Sequence, residues 1–209
     1  MEIKVKTHVE AVDEVLNNFP YGVVDANICV TGGKFGLSVI KAISEKNIDI
    51  SDLNIFQTDE RVETEPEEVI QNQVIRNLKN CRGFNSANFN FFSHKSFDKK
   101  VLSDLYNKIS SFPEGKFDLT ILSLGEDGHL AGHFENSIKI YNDMFCFTEN
   151  SPKLPKKRVS MTVSQLSNSK KIILACLGKN KDLALKNLLS GKSIHSELTL
   201  HKGLILLRN

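Results

Sequence analysis

Residues 117–124 read FDLTILSL, and residues 125–134 continue directly with GEDGHLAGHF. The first half is β-rich and almost continuously apolar, the pattern of a strand covered on both faces, as in a parallel sheet. The second half breaks off into glycines, two acids and two histidines. Titratable side chains are thereby placed on a flexible turn at the end of a buried strand. In open α/β sheets, ligands bind beyond the carboxyl ends of the strands.

The same alternation extends in both directions. Residues 26–31 (ANICVT) predict a strand, then Gly32-Gly33 and a helix from about Gly36 to Glu45. Residues 53–58 (LNIFQT) predict a second strand, followed by an acidic loop and an amphipathic run over 69–78. Residues 88–92 suit a short strand. Over 97–110, Phe97, Val101, Leu105 and Ile109 recur about one turn apart, which predicts a helix. Residues 171–177 (KIILACL), Gly178 and a helix over 181–189 repeat the unit, and 203–207 predict a last strand. This β-α alternation defines a layered α/β fold with a largely parallel sheet.

The chain has 209 residues, which suits one domain spanning 1–209. There is no internal repeat or low-complexity tract. The basic, proline-containing stretch 150–157 (NSPKLPKK) is too short for a domain linker. The formal net charge of +2 provides no strong field toward nucleic acid or an acidic membrane. Basic residues are scattered and not interleaved with aromatics, so no nucleic-acid partner is expected. The cysteines, Cys29, Cys81, Cys146 and Cys176, form no C-x-x-C pair, and Cys29 and Cys176 sit in apolar runs as expected of buried thiols. The N-terminus lacks an apolar signal region, and no stretch is apolar for the roughly 18 residues of a membrane span. No membrane partner and a cytoplasmic setting are the expectation; the oligomeric state is not encoded in any motif.

Loops at strand ends hold the chemistry. Thr31-Gly32-Gly33-Lys34-Phe35-Gly36 lets backbone N–H groups approach an anion at a helix start, although glycines there also serve tight turns. It matches neither a Walker loop nor G-x-G-x-x-G. Thr58-Asp59-Glu60-Arg61 places charges directly after an apolar strand, where they must pair with each other or bind something. Asp127-Gly128-His129 offers a general base for near-neutral pH beside a carboxylate that can orient it. His129 and His133 are four apart, but H-E-x-x-H fails and no third ligand is evident, so no metal is expected. Lys181, in the first turn of a helix where a cation is disfavoured, makes sense facing a bound anion or simply as a solvated lysine. Ser123 lies within a strand rather than at a G-x-S-x-G elbow.

Taken in order, TGGKFG at Thr31, TDER at Thr58, LGEDGHLAGHF at Leu124, KKRVSMT at Lys156 and LGKNKDLAL at Leu177 resemble the 6-phosphogluconolactonase family, within the wider group that includes glucosamine-6-phosphate deaminases. The resemblance covers almost the whole chain. It implies a Rossmann-like three-layer α/β sandwich and hydrolysis of 6-phospho-D-glucono-1,5-lactone to 6-phosphogluconate in the oxidative pentose phosphate pathway, with no cofactor or metal. It implies His129 as base, Asp127 as its positioner and Arg61 as the cation facing the developing oxyanion. The Gly32-Gly33 backbone, Arg158 and Lys181 match the family's sugar-phosphate-binding positions; Asp59 is expected to join them, and Lys34 to substitute for a hydroxyl donor that the family carries there. The chain departs from the family at Lys34-Phe35-Gly36 (usually Ser-Thr-Pro), Gly132-His133 (Ser-Leu), Ile194-His195-Ser196 (Pro-Ala-Ser) and Gln71-Asn72 (Ser-Asn). The deaminases resemble it less. They carry Asp-Glu-Tyr in place of Asp59-Glu60-Arg61, and their glutamate position after D-G-H is occupied here by Phe134, with Glu135 one place beyond. A sugar-phosphate-binding protein without catalysis is the remaining alternative, and retention of His129 beside Asp127 argues against it.

Overall fold

The computed structural model describes residues 2–85 and 87–209. Its main sheet has seven strands in the order β1 (Glu2–Lys4), β11 (Leu204–Arg208), β10 (Ser169–Cys176), β6 (Phe117–Ser123), β2 (Ala26–Val30), β3 (Leu53–Gln57) and β5 (Asn88–Asn90). Every pairing among them is parallel. Successive residues of a strand face opposite sides of a sheet, and here they divide between two cores. Ile28, Ile55, Leu119, Ile121, Ile173 and Leu207 pack with α1 (His8–Asn17), α2 (Gly33–Glu45) and α3 (Ile70–Leu78). Cys29, Phe56, Leu122, Ile172, Leu174 and Cys176 face the other way, against α4 (Lys99–Ser110), α6 (Asp182–Leu189) and a second sheet. Burial on both sides removes the polar half of the strand alternation, which is why residues 117–124 read as one apolar run. Cys29 and Cys176 are buried, as expected, and all four cysteines are free thiols.

The second sheet is antiparallel, in the order β4 (Asp59–Val62), β9 (Lys157–Met161), β8 (Phe145–Thr148), β7 (Ile138–Ile140). It corrects the expectation of an acidic loop after residues 53–58. Thr58 is the pivot. Its N–H still donates to Val30 O of the parallel sheet at 3.0 Å, while its carbonyl accepts from Met161 N of the second sheet at 2.9 Å. The chain therefore passes from one sheet into the other without a loop. As a strand, residues 59–62 send Glu60 to the side opposite Asp59 and Arg61.

Further boundaries differ from the sequence reading. Helix α2 begins at Gly33 rather than near Gly36, so Lys34 and Phe35 belong to its first turn. Gly36 packs so closely on the preceding strand end that a Cβ there would lie 1.9 Å from Thr31 O. Lys181 ends a 3-10 turn (Lys179–Lys181) and occupies the cap position of α6 rather than its first turn. The first helix, α1, went unread. Thr7 caps it by accepting from Glu10 N at 3.1 Å, and Glu10 Oε2 accepts from Lys6 N at 2.8 Å, a close variant of a capping box. Among the described residues, no helix is long and apolar enough to cross a membrane.

Candidate active site

A cleft of about 530 Å³ opens at the carboxyl ends of the parallel strands. Each stretch that the sequence marked contributes to it. The glycine pair and Lys34 come from the start of α2, Asp59 and Arg61 from β4, Gly125 and His129 from the turn after β6, Arg158 from β9, and Lys181 from the approach to α6. Asp127 does not line this cleft; it sits behind His129, whose Nδ1 is 2.5 Å from its Oδ1. With Nδ1 occupied, Nε2 is the nitrogen available to a ligand.

The turn that presents His129 is tight. Gly125 N donates to His129 O at 2.8 Å, Gly128 N donates to Gly125 O at 3.1 Å, and Gly128 has φ +85, where side chains are strained. The imidazole stacks on Phe134 with centroids 4.5 Å apart and planes at 21°. The other occupant of that aromatic ring is Arg158, whose guanidinium carbon lies 5.2 Å from its centroid. Asp127 is held by Lys153 as well, Nζ to Oδ2 3.4 Å. Burial alone pushes the Asp127 carboxyl up; the hydrogen bond and charge of His129, with Lys153, outweigh it and bring it below the usual range. Asp127 thus remains an acceptor for the ring.

Gly125 leaves room for this arrangement. A Cβ built there would lie 2.1 Å from His129 Nδ1 and 2.7 Å from Asp127 Oδ1. Gly125→Ala is therefore expected to swing the imidazole aside rather than unfold the turn. With His129 as the base that the family resemblance implies, turnover should drop about 100-fold with little change in melting temperature, as expected when one group is misplaced without loss of the fold; steady-state kinetics and calorimetry check the two halves.

The cations differ in their surroundings. Arg158 is 8% exposed, lies 3.9 Å from Asp59, and donates from Nη2 to Leu154 O at 3.3 Å. Burial lowers its pKa, Asp59 opposes that, and neighbouring Arg61 adds to it. Arg61 forms an ion pair with Glu68 and also donates to the Glu68 carbonyl at 3.0 Å. The Nε atoms of both arginines are buried without a hydrogen-bond partner. Lys181 donates from Nζ to Ser123 Oγ at 3.2 Å, and burial depresses its pKa.

Several lining residues were not selected from the sequence. They are His8, Ser123, Lys153 and Asn180, together with Glu126, which ties the loops by accepting from Asn180 Nδ2 at 3.0 Å and Lys153 Nζ at 3.2 Å. Phe134, beneath His129, was read only as a departure from the deaminase pattern. His133 and His195, whose roles the sequence left open, lie outside the cleft. His133 is buried with Nε2 2.7 Å from Met161 O, and burial brings His195 down to about 4. No group of three His, Cys, Asp or Glu side chains suited to a metal ion occurs among the described residues.

Fold and cleft together define an α/β protein with a cation-lined cleft and an imidazole–carboxylate pair at the ends of its parallel strands. The chain belongs to the glucosamine-6-phosphate isomerases/6-phosphogluconolactonase family, whose model matches residues 5–200. It is 27% identical over 195 residues to a 6-phosphogluconolactonase of Borreliella burgdorferi, covering 88% of this chain and 83% of that protein. It is 28% identical over 188 residues to a glucosamine-6-phosphate deaminase of Clostridium novyi, covering 78% and 77%. The crystal structure of a 6-phosphogluconolactonase from Thermotoga maritima superposes with a TM-score of 0.83 at 20% identity, over 100% of this chain and 97% of that one.

Proposed function

We propose that the protein hydrolyses 6-phospho-D-glucono-1,5-lactone to 6-phosphogluconate. The observation that carries this reading is His129, backed by Asp127, opening into the same cleft as Arg61, Arg158 and Lys181. His129 Nε2 takes a proton from a water as its oxygen attacks the lactone carbonyl carbon. The carbonyl oxygen gains negative charge, which Arg61 stabilises, with its register partner Arg158 on the neighbouring strand. As the tetrahedral intermediate collapses, the bond from carbon to ring oxygen breaks. The imidazolium returns its proton to that oxygen, which becomes a hydroxyl, and the product is the open-chain acid. The phosphate occupies the rim of Gly32, Gly33, Lys34 and Lys181, and Asp59 holds Arg158. No step calls for a metal or cofactor.

A second reading has support in the relatives named as deaminases. Deamination of glucosamine 6-phosphate requires a base to remove a proton from the carbon beside a carbonyl. The carboxylate nearest that task is Asp59, but it is buried, accepts from Thr58 Oγ1 at 2.8 Å and faces Arg158. Phe134 occupies the position of the deaminase glutamate and is itself buried under His129. Lactone generated in situ and glucosamine 6-phosphate, assayed side by side for acid release and ammonia release, separate the two. Acid release above the spontaneous rate without ammonia is expected; ammonia release without lactone hydrolysis would reverse the assignment.

A further inference from the structure

His8 belongs to none of the motifs that marked the cleft. It stands directly after the Thr7 cap, at the first position of α1, and its side chain reaches the cleft wall. The imidazole packs edge-on against Phe35, with centroids 5.7 Å apart at 82°. Its Nε2 is shielded from solvent and has no hydrogen-bond partner. A shielded, unpartnered nitrogen is unfavourable in a folded protein unless something that enters the site completes it.

The charges that act on His8 are Lys34, from the first turn of α2, and Lys181, ahead of α6. Burial, followed by those two charges, holds its pKa below the ordinary histidine value. Among the described residues, none of the three forms an ion pair. Three side chains able to carry positive charge, from separate elements, thus line the same cleft as the Gly32–Gly33 backbone; the one carboxylate that acts on them is Glu126, on Lys181, and it forms no ion pair with any of the three.

We propose that His8 contacts the phosphate of the substrate, its Nε2 donating to a phosphoryl oxygen held between Lys34 and Lys181, and that it takes up a proton as the phosphate enters. This rests on the reading of a phosphorylated substrate given above, but only on the anionic end of it. In the free protein the two lysines disfavour the imidazolium; a phosphate dianion between them reverses that balance. The sign follows. Binding raises the proton affinity of His8, so its contribution is complete below its free-state pKa and is lost as pH rises through its bound-state pKa. The phosphate works in the opposite direction, since a monoester loses half its charge below about pH 6. His8 therefore sharpens selection for phosphorylated over plain sugar acids and acts on KM rather than kcat.

The test uses inorganic phosphate and 6-phosphogluconate as probes, titrated into the intact protein, His8→Ala and His8→Gln. His8→Ala should bind both probes about 10-fold more weakly, the weight of one charge-assisted hydrogen bond. His8→Gln keeps a donor but cannot titrate; it should recover part of the affinity and lose the fall in binding above neutral pH. In the unsubstituted protein, the imidazole signal missing from the spectrum of His8→Gln should move toward its imidazolium position when inorganic phosphate is added. Unchanged affinity in His8→Ala, or an imidazole signal that phosphate does not move, overturns the assignment whether or not the protein hydrolyses lactone. His8-dependent phosphate binding in a protein that lacks lactonase activity would sustain it and remove the reading above it.

Discussion

His129→Ala is expected to slow lactone hydrolysis roughly 1000-fold, within the range that a positioned general base contributes, while binding of 6-phosphogluconate stays within a few-fold of the parent. In the proposed mechanism His129 works only at the lactone carbonyl and its ring oxygen, whereas the residues proposed to hold the phosphate, Lys34 and Lys181 beside Gly32–Gly33, come from other elements. The His129 side chain is 24% exposed, so its removal leaves no large internal void. The lactone opens spontaneously, so the rate must be followed against an enzyme-free control. Asp127→Asn makes a milder companion, since the amide keeps the shape of the support but can turn an NH₂ instead of an oxygen toward Nδ1 and so holds the ring less firmly. A His129→Ala protein that hydrolyses lactone at the parental rate would show that water is activated elsewhere.

Glu60→Gln should give the largest loss of stability of any conservative change in this region, about 3 kcal/mol. Glu60 is fully buried. Its Oε1 accepts from Arg61 N at 2.7 Å and Ile70 N at 2.8 Å, and its Oε2 from Gln71 N at 2.7 Å and Gln57 Nε2 at 2.8 Å. Burial pushes its carboxyl up, against the pull of all those donors. An amide must turn an NH₂ toward one pair of them, leaving two buried donors facing a third, and each unsatisfied buried donor costs about 1–3 kcal/mol. Gln57 cannot relieve this by flipping its own amide, because its Oε1 already accepts from Phe92 N at 3.0 Å. For a chain of this size, the loss corresponds to a fall of roughly 6–12 °C in melting temperature by calorimetry. The same carboxylate supplies the first backbone bonds of α3 and fixes the backbone at Arg61, so KM should rise as well. A melting temperature within a degree of the parent would mean that this bond network is not formed.

The parallel strands were legible because burial on both faces leaves nothing polar to interrupt them; residues 26–30, 117–123 and 169–176 contain long apolar runs. The antiparallel sheet was not, for the converse reason. Asp-Glu-Arg-Val at β4 carries charge on both sides, one side lining the cleft and the other capping α3. Charges there resemble a loop until Ile70, ten residues on, is known to lie against Glu60. The loops after β2, β6 and β10 were readable from glycine and titratable side chains. Lys153 was not, since its part depends on Asp127 and Glu126 being brought beside it. His8 was equally hidden: Thr7 and Glu10 announce a helix start, but no local pattern says that the residue between them will face a lysine from the far end of the chain.

Arg61 and Arg158 are register partners across the β4–β9 ladder. Like charges directly opposite each other strain a pair of strands, and this pair separates the two only with help from Glu68 and Asp59 on either flank. Under the proposed function, an anionic substrate entering beside the two is expected to relax the second sheet as it binds. On that reading the ligand-free protein is the tenser form, and its resistance to unfolding would rise with the supply of the sugar phosphate it is proposed to bind.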